Sequence, residues 1–206
     1  GLKAKKDVER NRRLSPEEEQ RVVRVLNGEV VGDMSAPEDP APAMLMLFRL
    51  ILATGLRLQE AYTLRVEQVD FARGLIAVDG SKGHRGVIKP RSVPMLPSLA
   101  AQLRDWCQGK SGLAFPFWDG TPEKRRRTSV MLATRFIKLF ARAGVPDFTE
   151  HDLRHSACCA WFELRAPDGR WVFSDVEICK IMGWSNYAMI LRYASLRGED
   201  LYESQE

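Results

Sequence analysis

Hydrophobic positions recur with helical spacing along most of the chain, and capping residues mark where helices begin and end. Ser15-Pro16-Glu17-Glu18 has the N-cap, proline and capping-box pattern of a helix start, and this helix is expected to end near Asn27-Gly28. Residues 43–53 are apolar on nearly every side, which predicts a buried helix. Thr54-Gly55 ends it, and another helix is expected over about 56–66.

The middle of the chain has the signals of a small sheet. Residues 75–78 are a run of strand-forming side chains, and residues 79–86 supply turn residues. Further short strands are expected around Val87-Ile88 and over 92–96. The sequence therefore predicts a hairpin with a long turn at its centre.

The second half of the chain returns to helical spacing. Helices are expected over about 97–107, 129–143, 149–164 and 174–183. Ser185 is the expected cap of one more helix, which carries Tyr193. The whole pattern predicts a mixed α+β fold, mostly α-helical, with a small three-stranded antiparallel sheet.

Composition limits the class of protein further. The chain has 206 residues, of which 45% are hydrophobic, enough for a sizeable core. No apolar run reaches the ~18 residues that span a bilayer, so no membrane segment is expected. The four cysteines have neither disulfide nor zinc spacing, which favours buried thiols in a reducing cytoplasm. The initial Gly and the absence of a signal peptide indicate a fragment of a longer protein.

Basic residues are concentrated in three places, within a net charge of +4. They lie in the N-terminal arm, around the expected hairpin, and in the run Lys124–Arg127. Each cluster alone is typical of a solvated face. If the fold brings them together, they form a phosphate-binding surface, and the expected partner is then nucleic acid.

Two pairs of residues have spacings that suit phosphate chemistry. Arg57 and Glu60 lie three residues apart on one expected helix, as do His151 and Arg154 on another. Two guanidinium groups can bind the oxygens of a phosphodiester, a histidine can move a proton, and a tyrosine hydroxyl can attack phosphorus. Such a site needs no metal, because the arginines neutralise the developing charge. Either pair alone is more often structural.

Five motifs in order strengthen this interpretation, and together they resemble the catalytic domain of the tyrosine recombinases, the phage integrases. The resemblance covers about residues 15–197. The motifs are Thr54-Gly-Leu-Arg57-Leu-Gln-Glu60, Lys82 in the hairpin, His151-Asp-Leu-Arg154-His155, Met182-Gly-Trp184-Ser185 and Leu191-Arg-Tyr193-Ala-Ser-Leu196.

The resemblance implies a role for each matching residue. Arg57 and Arg154 would hold the scissile phosphate, and Glu60 would support the site and orient Arg57. Lys82 would protonate the leaving 5′-hydroxyl. His151 would take the proton of the tyrosine or hydrogen-bond the phosphate.

The remaining two positions are the nucleophile and a variant. Tyr193 would attack, leaving a 3′-phosphotyrosyl link. Trp184 stands where many relatives have a second histidine; its indole N–H can donate to phosphate but cannot shuttle a proton. Lys82 is preferred to Lys89 because Ser-Lys-Gly lies at the turn, whereas Lys89 precedes Pro90 in the returning segment. Residues 166–173 extend a connection and receive no role.

The resemblance also implies domains and partners. Residues 1–14 would be a basic linker from a missing N-terminal core-binding domain, and 15–206 the catalytic domain. Residues 195–206 would be a tail that docks on a neighbouring protomer. The implied partner is double-stranded DNA, with a tetramer on DNA and a monomer in isolation, no cofactor, and a bacterial or phage protein acting at the nucleoid in the cytoplasm.

Two alternatives stay open. His151 and His155 have the His-x-x-x-His spacing of zinc hydrolases, although Asp152 stands where the catalytic Glu is expected and no third ligand is evident. The chain could also be a DNA-binding regulator with an inactive recombinase fold. The presence of the complete set of implied catalytic residues argues against that loss of activity.

Overall fold

The computed structural model describes residues 12–32, 41–79, 90–184, 188–191 and 193–197. This part is mostly helical with a small antiparallel sheet, so the predicted fold class is confirmed. The helices are α1 (Pro16–Leu26), α2 (Pro42–Thr54), α3 (Leu58–Tyr62), α4 (Pro97–Cys107), α5 (Arg125–Arg142), α6 (Glu150–Glu163), α7 (Asp175–Met182) and α8 (Ala188–Leu191). The strands are β1 (Val69–Asp70), β2 (Leu75–Val78) and β3 (Arg91–Pro94).

The predicted helix ends that depend on local capping are confirmed. Ser15, Thr149 and Ser174 each begin a helix with a complete capping box. Gly55 and Gly183 end α2 and α7 in the left-handed conformation, with φ of 67° and 65°. A non-glycine residue is disfavoured at such φ values, which explains why these two helices end where they do.

The sheet is a meander in the order β1-β2-β3, with β2 antiparallel to both neighbours. Strand β1 was not predicted, and β3 covers 91–94 rather than 92–96. The turn residues 80–89, with the strand predicted around Val87-Ile88, lie outside the described residues. The shift of β3 places Arg91 opposite Val78 in the ladder.

Three helix boundaries differ from the prediction. Helix α3 is shorter than 56–66, because the backbone at 64–66 pairs with 112–114 instead of continuing the helix. Helix α5 begins at Arg125 rather than near 129, so its first turn carries most of the basic run. Helix α8 ends at Leu191, and Tyr193 lies in the turn that leads to a short 3-10 helix, Ala194–Arg197.

Helix α2 is the centre of the core, as its apolar sequence predicted. It packs against α1, α3, α4 and α6. Its contacts with α6 matter most for the site, because they bring the glycine end of α2 to the first turns of α6. Within the described residues, no helix combines the length and the apolar composition that crossing a bilayer requires.

The orientation of α2 yields a stability prediction. Leu50 is fully buried, whereas Leu52 is partly exposed on the same helix. Leu50→Ala is expected to lower the free energy of unfolding by about 2–5 kcal/mol, since it removes buried contacts and leaves a cavity. Leu52→Ala, the matched control, is expected to cost less than half as much. Urea unfolding of both variants measures the difference, and equal losses would contradict this placement of α2.

Candidate active site

The carboxyl end of α7 is surrounded by three arginines from three different segments. The last carbonyl groups of a helix lack partners within it. Here the Ile181 carbonyl accepts a hydrogen bond from Arg91 Nε at 2.8 Å, and the Met182 carbonyl accepts one from Arg154 Nη2. The Gly183 carbonyl lies 3.5 Å from Arg57 Nη2. Positive charge is favoured at this end of a helix, so α7 gathers the three guanidinium groups.

Arg154 is the buried member of this group, with 8% of the residue exposed. Its Nη1 donates to the carbonyl of Gly55 at the end of α2, and its Nη2 to Met182. Burial, followed by the charge of Arg57, lowers the pKa of Arg154 to about 10, so it remains protonated at neutral pH. The two carbonyl contacts hold its guanidinium between the ends of two helices.

Glu60 joins two of the arginines. Its Oε1 accepts from Arg91 Nη1 at 2.9 Å and from Arg57 Nη1 at 3.1 Å. Its Oε2 accepts from Arg91 Nη2 at 2.7 Å and from the Arg57 backbone N–H at 2.9 Å. Burial alone would raise the pKa of Glu60, but the hydrogen bonds and charge of Arg91, with those of Arg57, lower it to about 2. Glu60 is therefore ionised and fully hydrogen-bonded.

Arg57 is the open member of the group. It occupies the N-cap position of α3, and 39% of its side chain is exposed, against 5% for Glu60. Its guanidinium is held by Glu60 on one side while another part of it faces solvent. The arrangement thus presents one partly exposed and one buried guanidinium at a single place, and guanidinium donors match the geometry of the non-bridging oxygens of a phosphodiester.

Tyr193 is buried beside this cluster, with 4% of the residue exposed. Its ring stacks on Phe162 at a centroid distance of 5.2 Å and on Trp184 at 5.5 Å. Its hydroxyl lies 3.0 Å from Nδ1 of His155, whose Nε2 lies 3.7 Å from Cys159 Sγ. The tyrosine therefore lies in an aromatic slot between α6 and the segment that follows α7.

The structure brings together many of the residues that the sequence singled out. Arg57, Glu60 and Arg154 meet at the end of α7, and Trp184 contacts Tyr193. His151 is exposed on the first turn of α6, and the tyrosine hydroxyl contacts His155 instead. Lys82 and its rival Lys89 lie outside the described residues.

Sequence reasoning missed two contacts. Arg91 lies in the basic region around the hairpin and received no role, and His155 was named only within its motif and as a possible zinc ligand. For Arg91 a signal existed: it lies two residues before the buried Val93, so alternation along β3 turns both toward the core. A core-facing arginine needs acceptor groups, often a carboxylate, around its guanidinium. For the contact between His155 and Tyr193 no local signal existed.

Other basic residues that the sequence singled out make local contacts within the chain. Lys124 pairs with Asp119 at 2.5 Å, and Arg125 lies over the ring of Trp118. Arg12 and Arg13, from the expected linker, pair with Glu18 and with Glu163 of α6. In the part of the chain that the structure describes, no group of three or more His, Cys, Asp or Glu side chains is placed to hold a metal ion.

Comparison with known proteins places this geometry in a family. The sequence model of the phage integrase family matches residues 12–199 of this chain. The tyrosine recombinase XerA of Thermococcus kodakarensis is 30% identical, over 78% of this chain and 54% of its own length. An integrase/recombinase of Escherichia coli is 32% identical, over 82% of this chain and 58% of its own length. The chain thus spans little more than half the length of these curated relatives.

Solved structures agree on the fold. A crystal structure of XerA recombinase has a TM-score of 0.64 at 18% identity, covering 98% of this chain and 67% of that one. The Tn1549 transposon integrase in complex with transposon right end DNA also scores 0.64, at 20% identity, covering 92% of this chain and 63% of that one. The catalytic domain of bacteriophage HP1 integrase scores 0.55 at 22% identity, covering 89% of this chain and 87% of that domain. With the family match over most of its length, and as its motifs predicted, this chain belongs to the phage integrase family.

Proposed function

We propose that this chain is the catalytic domain of a site-specific DNA recombinase that cuts and rejoins DNA strands through Tyr193. The proposal rests on one observation. The side chains of Arg57 and Arg154 lie together at the end of α7, and a tyrosine is buried beside them. Family membership and the curated relatives named as recombinases support it. The inactive-regulator and metallohydrolase alternatives are not favoured.

The two arginines bind the scissile phosphate in this proposal. Arg154 is buried and hydrogen-bonded to two carbonyl groups, so its charge is held in one place before DNA arrives. Arg57 is partly exposed and contributes the second guanidinium from the solvent side. Preorganised positive charge stabilises the additional negative charge of the pentacoordinate transition state.

Attack by the tyrosine forms a bond between its phenolic oxygen and phosphorus. The bond from phosphorus to the 5′-oxygen breaks, which leaves a 3′-phosphotyrosyl link and a 5′-hydroxyl. His151, exposed on α6, accepts the phenolic proton or hydrogen-bonds the phosphate, and Lys82 protonates the leaving oxygen. Trp184 donates its indole N–H to a phosphate oxygen. Rejoining reverses these steps with a new 5′-hydroxyl.

The buried position of Tyr193 adds a condition. A hydroxyl that contacts His155 inside an aromatic slot cannot reach a phosphate bound outside it. We infer that the segment around Tyr193 moves when DNA binds. This movement has to break the contacts of Tyr193 with His155, Phe162 and Trp184.

The partner in this proposal is double-stranded DNA, and the similar Tn1549 transposon integrase was solved in complex with transposon right end DNA. A tetramer on DNA and a monomer without it follow from the same proposal. Leu196 packs against the core, and Arg197 donates to the Phe162 carbonyl at 2.9 Å, so the start of the tail lies on its own chain here. Residues 198–206 lie outside the described residues. Residues 1–14 act as a linker to a core-binding domain, and the site of action is the nucleoid in the cytoplasm.

The nucleophile can be tested with nicked duplexes that are tiled across the DNA flanking the gene. The wild-type chain is expected to form a covalent adduct that survives denaturant, and Tyr193→Phe is expected to bind the same DNA without forming it. The phenylalanine keeps the ring stack on Phe162 and Trp184, so the attacking oxygen is the group that is lost. Denaturing gels and peptide mapping measure the adduct.

The matched control for this test is Tyr187→Phe, which is expected to retain adduct formation. EDTA is expected to have no effect, because the arginines supply the positive charge. An adduct on Tyr187, cleavage that requires a metal ion, or no adduct from the wild-type chain would overturn the proposed function.

The general acid can be assigned with a substrate whose leaving oxygen is replaced by sulfur. Lys82→Ala is expected to slow cleavage of normal DNA by at least about 100-fold while leaving DNA affinity nearly unchanged. A 5′-thiolate leaves without a proton, so the sulfur substrate is expected to restore the rate. Lys89→Ala is the control and is expected to cleave both substrates normally. Rescue of Lys89→Ala and not of Lys82→Ala would reverse the assignment.

A further inference from the structure

We propose that Arg91 is a positioning residue for DNA cleavage: by holding and neutralising Glu60, it keeps Arg57 oriented and its charge available for the scissile phosphate. The inference rests on the proposed function, since it assigns a residue to the same site. Nothing in the motifs that resemble the recombinases singled out Arg91 for this role.

The guanidinium of Arg91 makes hydrogen bonds to two different parts of the cluster, the carboxylate of Glu60 and the end of α7. Its two Nη atoms donate to the two oxygens of Glu60, at 2.9 and 2.7 Å, and its Nε donates to the carbonyl of Ile181. The side chains of Arg91 and Glu60 are 8% and 5% exposed. A bidentate, buried ion pair of this kind holds both partners in one geometry. Arg91 therefore joins β3, α3 and the end of α7.

Glu60 in turn fixes the orientation of the Arg57 side chain. Each carboxylate oxygen of Glu60 accepts one hydrogen bond from Arg91 and one from Arg57. The orientation of the partly exposed Arg57 side chain is set by the carboxylate, and the orientation of the carboxylate is set by Arg91. An exposed arginine without such a partner would sample many rotamers.

Charge gives Arg91 a second effect. A buried carboxylate needs compensation by positive charge. If Arg57 were the sole cation beside Glu60, its guanidinium would pair fully with the carboxylate. The charge of Arg57 would then be neutralised by Glu60 instead of acting on a phosphate. Because Arg91 compensates Glu60, the charges of Arg57 and Arg154 remain directed at an incoming phosphate.

All three guanidinium nitrogens of Arg91 are engaged within the protein, by Glu60 and by the Ile181 carbonyl. Its guanidinium lies against the end of α7, where a Cβ added at Gly183 would be 3.1 Å from Arg91 Cζ and Nε. Gly183 is thus required by its positive φ and also by the close approach of Arg91. Arg91 acts on the reaction through Glu60 and Arg57 rather than by contact with substrate.

The test compares two Arg91 variants with a matched control, using nicked duplexes that trap the wild-type adduct. Arg91→Met is expected to slow single-turnover cleavage by about 100-fold, with DNA affinity changed much less. Arg91→Lys keeps the charge without the bidentate geometry and is expected to recover part of the loss. Arg21→Lys is the control, because Arg21 also donates from its Nε to a carbonyl at a helix end, that of Ala143 at the end of α5, at 2.9 Å. The Arg21→Lys variant is expected to cleave normally.

A neutral scissile group separates positioning from a general structural defect. A methylphosphonate at the cleaved position lacks one negative charge and so depends less on Arg57. If Arg91 acts through Arg57, this substrate shrinks the defects of Arg91→Met and Arg57→Met alike, and combining the two substitutions adds little to the loss from Arg57→Met alone. A defect of equal size on both substrates, or additive losses in the double variant, would overturn the inference.

A second perturbation applies if Arg91→Met does not fold. Gly183→Ala pushes against the Arg91 guanidinium, whereas Gly169→Ala has a similar positive φ, 83°, with open space around the added methyl group. Gly183→Ala is expected to slow cleavage by about 10-fold or more relative to Gly169→Ala. If all these variants cleave like the wild-type chain, the inference on Arg91 is wrong and the proposed function stands. If the wild-type chain forms no adduct, the proposed function fails first.

Discussion

The site depends on the carbonyl groups at the carboxyl end of α7, for which the helix itself supplies no donor. A helix end with such groups inside a protein needs donors, and cations are the donors that its dipole favours. Arg91 and Arg154 donate to two successive carbonyls, and Arg57 approaches the third. Like charges would repel at this distance, but the helix end and the ionised Glu60 compensate them. The same contacts therefore complete the fold and build the candidate active site.

Two glycine ends make this gathering possible. Gly55 ends α2 and Gly183 ends α7, and both lie beside the site. A Cβ on Gly55 would be 3.0 Å from the sulfur of Met182, so the two helix ends meet without room for a side chain. Arg154 crosses between them and donates to both. The packing of α2 on α6 is what brings the arginine to this junction.

The two halves of the site are held by different kinds of contact. The arginines and Glu60 are joined by a network of hydrogen bonds. Tyr193 lies after a short helix, in an aromatic slot that hides its hydroxyl. In the proposed reaction, the hydrogen-bonded arginines are preorganised for a phosphate, whereas the hydroxyl of Tyr193 has to leave its slot before it can attack.

Local physics decided the features that the sequence by itself determined. Capping boxes at Ser15, Thr149 and Ser174 and the left-handed glycines act over a few residues, so the helix ends they set were predicted. The three-residue spacing brought Arg57 and Glu60 into contact at the start of α3, whereas on α6 His151 is exposed and Arg154 is buried. Contacts between distant segments were decided by the tertiary structure alone. Pairing of residues 64–66 with 112–114 shortened α3, and β3 brought Arg91 to Glu60. His155 reached Tyr193 because the segment after α8 packs against α6, and periodicity along one helix carries no information about which partner lies across it.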